Sequence, residues 1–167
     1  MNDPAWLAFA RRQIGTREIP GPTHNNKLIA LLNTAARWNG VIWKDDEMPW
    51  CGGFAAACLV AAGIDPPKIA ARAASWATWG ANLRTDRLAP GAILVFSRFG
   101  GNHVGFYAGE DARYYHVVGG NQGNAVSYSR IANSRLIASR WPRGVPVIGG
   151  PVRMTEVAGI PVTTNEA

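Results

Sequence analysis

The chemistry open to this chain centres on a thiol. Cys51 stands near the head of Trp50-Cys51-Gly52-Gly53-Phe54-Ala55-Ala56-Ala57-Cys58-Leu59-Val60-Ala61-Ala62-Gly63, a run that reads as one helix stopped by Gly63. The partial positive charge of a helix N-terminus stabilises a thiolate, the reactive form of cysteine. Gly52 and Gly53 beside it leave room for a substrate. On residue type alone, Cys51 is equally open to a small, buried, apolar role, which is the reading for Cys58. Seven positions apart on one helix, the two residues are separated by roughly 10 Å along its axis, too far for a disulfide.

A nucleophilic thiol needs a base, and three histidines are available. His103 lies in Gly100-Gly101-Asn102-His103-Val104-Gly105-Phe106-Tyr107, at the start of a strand whose alternation puts His103, Gly105 and Tyr107 on one face. That position suits a side chain aimed at a cleft. His116 sits mid-strand between Tyr115 and Val117, the setting of a structural histidine, and His24 falls in a Pro- and Asn-rich loop open to solvent. A catalytic imidazole also needs a group that fixes its tautomer. Gly119-Gly120-Asn121-Gln122-Gly123-Asn124 supplies three amides at the end of a strand, and Asn121 is the expected orienting residue; a plain Gly-Asn turn is the competing reading. No Cys-x-x-Cys or His-Glu-x-x-His spacing is present, so neither a metal nor another cofactor is expected.

These residues need a scaffold. Asp3 and Pro4 open a first helix whose Trp6, Phe9, Ala10 and Ile14 share a face before Gly15. A second helix runs from about Asn25, through Leu28, Leu31, Leu32 and Ala35, to Asn39-Gly40. The Cys51 helix is apolar on every face and therefore central, and a short helix within Ile69 to Trp79 follows it. Beyond Gly80 the pattern changes to short β-branched or aromatic runs, at 92–96, 103–107, 114–118 and 125–128, separated by Gly- and Asn-rich turns. Helices followed by strands indicate an α+β domain, with N-terminal helices and a central buried helix packed on an antiparallel meander. One domain is expected over 1–143, and the Pro- and Gly-containing residues 144–167 read as a tail or linker.

With 167 residues, 47% apolar and 17% charged, the chain has the size and composition of one folded domain and not of a disordered tail. Its 17 cations against 11 anions give +6, and the cations are mostly arginine. An anionic partner surface follows. Nucleic acid is not expected, because the arginines are scattered in runs no longer than two. The longest apolar stretch, Phe54 to Ile64, is about half the roughly 20 residues of a membrane-spanning helix. Met-Asn-Asp-Pro-Ala-Trp at the start carries no basic region followed by an apolar run, so a secretory signal peptide is not expected.

Taken as a set, Trp50-Cys51 opening an Ala-rich helix, Pro90-Gly91-Ala92-Ile93-Leu94-Val95-Phe96, Asn102-His103-Val104-Gly105-Phe106-Tyr107 and Gly119-Gly120-Asn121-Gln122 resemble the CHAP and NlpC/P60 group of papain-like cysteine hydrolases. The likeness is to its small phage- and prophage-encoded, endolysin-like members, and it spans roughly residues 5 to 142. Ala92 stands where the family usually carries an aspartate before the strand, at a position with no catalytic role. The resemblance implies a papain-like core with Cys51 as nucleophile, His103 as base and Asn121 as third residue. It further implies a peptidoglycan hydrolase that cuts an amide of the stem peptide or the bond from muramic acid to alanine. Trp50, Trp76 and Trp79 would then line a groove, with a core position the competing reading for one of the last two, Gln122 would contact substrate, and Asp46 and Glu47 would either bind the free amine of a stem peptide or form a solvated acidic loop. A thiolate of Cys51 paired with an imidazolium of His103 is the expected resting state. A monomer is expected, made in the bacterial cytoplasm and reaching the wall through a holin or an injection machine. Two readings of other classes stand beside it: a catalytically silent wall-binding or phage structural module, and a papain-like deamidase or transferase toxin.

Overall fold

Helix α4 has no polar face, and the chain wraps it. The computed structural model describes residues 3–155, 160–164 and 166. In chain order its elements are α1 (Ala5–Arg12), α2 (Asn26–Asn33), α3 (Ala36–Asn39), α4 (Cys51–Ala61), a 3-10 turn (Ala73–Thr78), β1 (Ala81–Asn82), a 3-10 turn (Thr85–Arg87), β2 (Ile93–Arg98), β3 (Gly101–Glu110), β4 (Tyr114–Gly119), β5 (Ser127–Ala132), a 3-10 turn (Asn133–Arg135) and β6 (Leu136–Trp141). Every residue of α4 from Cys51 to Leu59 is buried. A helix apolar all round is stable only when covered all round; α1, α2 and α3 pack on one side of it and β3 and β4 on the other.

The helices follow their local signals with two corrections. Pro4, in extended backbone, holds the N-cap position of α1 without a side-chain cap, and Asp3 instead pairs with Arg11 Nε at 2.7 Å. The expected second helix is two pieces. Asn25 caps α2 by accepting the Leu28 N–H, α2 stops at Asn33, and α3 resumes at Ala36 before Gly40 ends it at φ 76.

The sheet is α+β in character, antiparallel and six-stranded, in the order β1-β6-β2-β3-β4-β5. The expected meander is its β2 to β5 portion. A two-residue turn, Phe99-Gly100 with Gly100 at φ 78, joins β2 to β3 and pairs Arg98 with Gly101 and Phe96 with His103. Ala125 and Val126, expected in the last strand, pair instead with the loop after α1: Val126 N–H donates to Thr16 O and Gly15 N–H to Val126 O. β6, which the sequence reading omits, returns beside β2 and carries β1 on its far side, with a bulge between Val95 and Phe96. Its side chains alternate only weakly in burial, with exposed Ile137 and half-buried Leu136, Ala138 and Arg140, so the period-2 pattern is blurred.

Residues beyond Arg143 pack on this sheet where they are described. Val152 to Met154 bond both backbone groups of Glu110, and Val152 N–H donates to the Tyr107 hydroxyl at 3.0 Å. Pro161 to Thr163 run along β5 through both backbone groups of Arg130, which covers the exposed edge of the sheet. Arg135 then grips the buried Glu166 carboxylate with two nitrogens, each at 2.9 Å. These parts of 144–167 form no free tail.

Two glycines let α4 sit this deep. A Cβ on Gly52 would strike the Ala70 carbonyl oxygen and lie 2.7 Å from that of Ala71; one on Gly53 would lie 2.5 Å from the Trp43 ring. Their lack of side chains makes room for backbone and tryptophan, not for a substrate as the sequence reading expects. Gly52→Ala is expected to lower stability by about 2 kcal/mol or more through overpacking, although helix propensity alone would raise it by about 1 kcal/mol. The shift in the urea unfolding midpoint gives the sign.

Candidate active site

Cys51 is the first residue of α4. Its N-cap, Trp50, offers no side-chain cap, so the first-turn N–H groups are not engaged by a capping oxygen. The backbone N–H groups of Val104 on β3, of Gly52 and of Cys51 itself act on the sulfur electrostatically. The residue is only 5% exposed. Burial is the largest influence on the thiol and pushes its pKa up; the Val104 and Gly52 N–H groups and the charge of Arg98 pull it back only in part.

His103, the residue before Val104, is fully buried, and its ring lies against Phe96 with centroids 6.4 Å apart. Nε2 lies 3.0 Å from Gln122 Oε1. The Gln122 amide is oriented by its own NH₂, which donates to Ser127 O at 2.8 Å and Val117 O at 3.3 Å. The oxygen therefore faces the ring, Nε2 carries the proton, and Nδ1 keeps its lone pair. Nδ1 is buried and has no hydrogen-bond partner. Burial, only partly opposed by the Gln122 bond, lowers the His103 pKa to about 4. With the thiol raised and the imidazole lowered, both groups are neutral near pH 7. That replaces the expected thiolate–imidazolium pair: desolvation outweighs the helix terminus.

The amide that meets the His103 ring is Gln122, one position beyond Asn121. Asn121 is buried at φ 59 and Asn124 lies at φ 60, both in the left-handed conformation that asparagine tolerates. They shape the turn that presents Gln122. Gly119 clears space for its amide, since a Cβ there would lie 2.7 Å from Gln122 Oε1, whereas one on the facing Gly105 would strike the Val117 side chain at 2.5 Å. Gln122, expected to touch substrate, is engaged with His103 and with backbone on both sides.

The other expected substrate contacts are engaged elsewhere. Trp50 is fully buried, donates Nε1–H to Glu18 Oε1 at 2.8 Å and packs on Phe54. Trp76 is fully buried with Nε1–H on Ala70 O. Neither can line an open groove. Asp46 is buried and ties the N-terminal loop, accepting N–H from Ile19 and Asn25 at 2.7 Å each and contacting His24 Nδ1 at 3.1 Å. Burial pushes its pKa up, but those donors prevail and hold it below the ordinary value. A carboxylate so satisfied has no lone pair aimed at a substrate amine. Glu47 is exposed and accepts the Gly21 N–H. His116 is buried against Asp111 at 2.7 Å, in the structural role expected of it. Cys58 is fully buried and free, as is Cys51 free of any disulfide.

What the sequence reading misses is the cleft itself. A cavity of about 360 Å³ opens at Cys51 between Pro49, the loop Ala71 to Ala74, and the β2–β3 turn with Arg98 and Asn102. Larger concavities of about 590 and 580 Å³ lie at the β1–β6 edge and near Gly63 at the far end of α4; they hold neither cysteine nor histidine, so size is no guide here. Scattered arginines gave no signal that Arg72 and Arg98 meet at one opening. Among the described residues, no group of three or more His, Cys, Asp or Glu side chains is placed to hold a metal ion, and no helix is long and apolar enough to cross a membrane.

The lowered His103 pKa makes stability depend on pH. Above pH 6.5 the imidazole is neutral in the folded and unfolded chain alike; between 6.5 and about 4 only the unfolded chain takes up the proton. Stability therefore falls as pH falls, by about 3 kcal/mol from this group at pH 4. Urea titrations at pH 7, 5.5 and 4.5 are expected to show a shallower decline for His103→Gln than for the unchanged protein. Compared with protein-family models and with curated protein sequences, the chain finds no match.

Proposed function

We propose that this protein is a cysteine hydrolase of bacterial peptidoglycan, with a papain-like arrangement in which Cys51 is the nucleophile, His103 the base and Gln122 the residue that orients it. The observation that carries the chemistry is the polarity of the imidazole. Gln122 holds the Nε2 proton, and the one nitrogen able to accept a proton, Nδ1, is buried without a hydrogen-bond partner, on the residue next to Val104, whose N–H acts on the sulfur. The peptidoglycan part of the reading rests on the CHAP and NlpC/P60 resemblance and on the net charge of +6, which suits an anionic envelope.

In this mechanism Nδ1 takes the Cys51 proton as the sulfur attacks an amide carbonyl, so charge appears only as the carbon–sulfur bond forms. The oxyanion meets the Cys51 N–H at the α4 terminus. His103 returns its proton to the leaving amine as the carbon–nitrogen bond breaks, and a thioester remains. A water molecule, deprotonated by Nδ1, hydrolyses the thioester and restores the thiol. The bond cut is one within the stem peptide or the one from muramic acid to alanine.

A silent wall-binding module draws on a specific observation, the neutral resting state of both groups. Mass spectrometry of purified peptidoglycan separates the two readings. New fragments are expected with the unchanged protein and none with Cys51→Ala or His103→Ala, while Gln122→Leu is expected to cost about 10- to 100-fold in turnover and Asn121→Ala far less. Fragment masses identify the bond. Absence of fragments from several wall types would sink the hydrolase reading. Because the base titrates at about 4, the acid limb of kcat/KM is expected near pH 4 and not near 6.5; a limb at 6.5 would show that substrate finds a solvated, protonatable imidazole.

A further inference from the structure

The walls of the Cys51 cleft carry two positive charges and no negative one. Of the residues around the opening, Arg72 and Arg98 are the only charged side chains, and the rest are Pro49, Cys51, small Ala and Gly, and Asn102. Among the described residues, Arg11, Arg84, Arg135 and Arg153 are each paired with a carboxylate; no ion pair involves Arg72 or Arg98. Arg98 is nevertheless fixed. Its Nε donates to Asn102 O and its Nη1 to Phe99 O, both at 3.1 Å, so the β2–β3 turn clamps the guanidinium and leaves Nη2 for a ligand. A guanidinium clamped in this way loses little freedom when it binds. Its charge also reaches the reacting groups, since it acts on both Cys51 and His103. Across the cleft, Arg72 is exposed on the loop that follows α4.

We propose that this cleft recognises a carboxylate, and that the substrate is a peptide carrying a free carboxylate within about one residue of the amide that Cys51 attacks, with Arg98 and Arg72 as specificity residues. The inference rests on the reading of Cys51 as a nucleophile. It reverses the expectation of an amine-binding site, because Asp46 is buried and engaged with Ile19, Asn25 and His24, while the charged side chains that do reach the opening are cationic. A substrate with a lysine or free amine beside the scissile bond meets like charge there.

Two measurements on the full chain test it. The first compares alkylation of Cys51 by iodoacetate, an anion, and by iodoacetamide, neutral and of similar size, with the label located by mass spectrometry. In both reactions the thiolate sulfur displaces iodide, so the ratio of rates cancels the thiolate fraction and reports only the field felt by the reagent. In Arg72→Gln/Arg98→Gln the iodoacetate-to-iodoacetamide ratio is expected to fall several-fold, about threefold for each charge at 6–8 Å in a water-like surrounding, and 0.5 M salt is expected to narrow the difference. Arg98→Lys keeps the charge and is expected to keep the ratio. Arg72→Gln, at an exposed side chain with no contact to lose, guards against a folding defect. An unchanged ratio in the double variant overturns the proposal, as does failure of either reagent to reach Cys51, since a cleft closed to them admits no peptide carboxylate.

The second measurement compares kcat/KM on paired stem peptides that differ only in a free carboxylate or a carboxamide beside the scissile bond. About tenfold preference for the carboxylate is expected, and equal rates overturn the proposal. The two readings fail separately. Fragments from peptidoglycan together with a flat alkylation ratio leave the hydrolase and remove the carboxylate site; a charge-dependent ratio without any fragments leaves an anion-reading thiol cleft and removes the hydrolase.

Discussion

A helix without a polar side has to be enclosed, yet its first residue, Cys51, borders a cleft, and the chain meets both conditions at once. Residues Cys51 to Leu59 of α4 are buried throughout, which brings α1, α2 and α3 onto one flank and the sheet onto the other. Enclosure is so tight at the N-terminal end that Gly52 and Gly53 touch the Ala70–Ala71 backbone and the Trp43 ring where side chains would otherwise stand. The loop before α4 is held just as firmly, with Asp46 gathering the backbone at Ile19 and Asn25 and Trp50 bonded to Glu18. Burial of Trp50 also raises the cost of moving Cys51, because Gly120 leaves room for its ring beside Phe54. At this end of the helix a cavity of about 360 Å³ opens beside Cys51.

That enclosure fixes the protonation state of the site. A helix terminus contributes typically 0.3–1 kcal/mol at an exposed position and up to about 2 kcal/mol when partly buried, whereas taking an unpaired ion out of water costs several. Burial therefore raises the thiol and lowers the imidazole, although three backbone N–H groups and the charge of Arg98 act on the sulfur and a glutamine faces the ring. Such a site stores no separated charge at rest. In the proposed reaction, charge separation is deferred to the moment of bond formation, when an oxyanion can share the same N–H groups. The glutamine matters here for geometry more than for charge. A neutral amide fixes the tautomer without stabilising an imidazolium as a carboxylate would, which agrees with a base that titrates at about 4.

Much of this was legible in the sequence because it depends on local pattern. The all-apolar run after Cys51 required a central helix, and the β-branched stretches at 92–96, 103–107 and 114–118 required strands. His103 stood out at a strand start beside glycine. What stayed hidden depends on three-dimensional packing. Asn121 and Gln122 are both amides in one turn, and only the left-handed backbone at Asn121 decides which of them faces the ring. Gly119 carried the missing signal, since a glycine inside a strand marks a close approach, here that of the Gln122 amide. Trp50, Trp76 and Asp46 look like ligand contacts in sequence because aromatic and acidic residues serve both purposes, and burial alone separates the two. β6 escaped because its alternation is weak, and the packing of 152–154 and 161–163 escaped because it is made by backbone hydrogen bonds, which composition does not reveal.

That last segment bears on the electrostatics of the site as well as on the sheet edge. Glu166 lies near enough to His103 to raise its pKa, while its partner Arg135 and the cleft residue Arg98 lower it. Arg135 is itself anchored to the carbonyl of Ser97, the residue before Arg98, at 2.9 Å. A carboxylate and a guanidinium joined in this way act on the ring in opposite senses and largely cancel, so the ion pair can close the sheet without setting the charge of the base. What remains uncancelled near the reacting atoms is Arg98, whose fork is held by carbonyl oxygens and not by a carboxylate. The fold thus neutralises the cation that it buries for structure and leaves unneutralised the one that faces the cleft. An arrangement of that kind favours a ligand that brings its own negative charge.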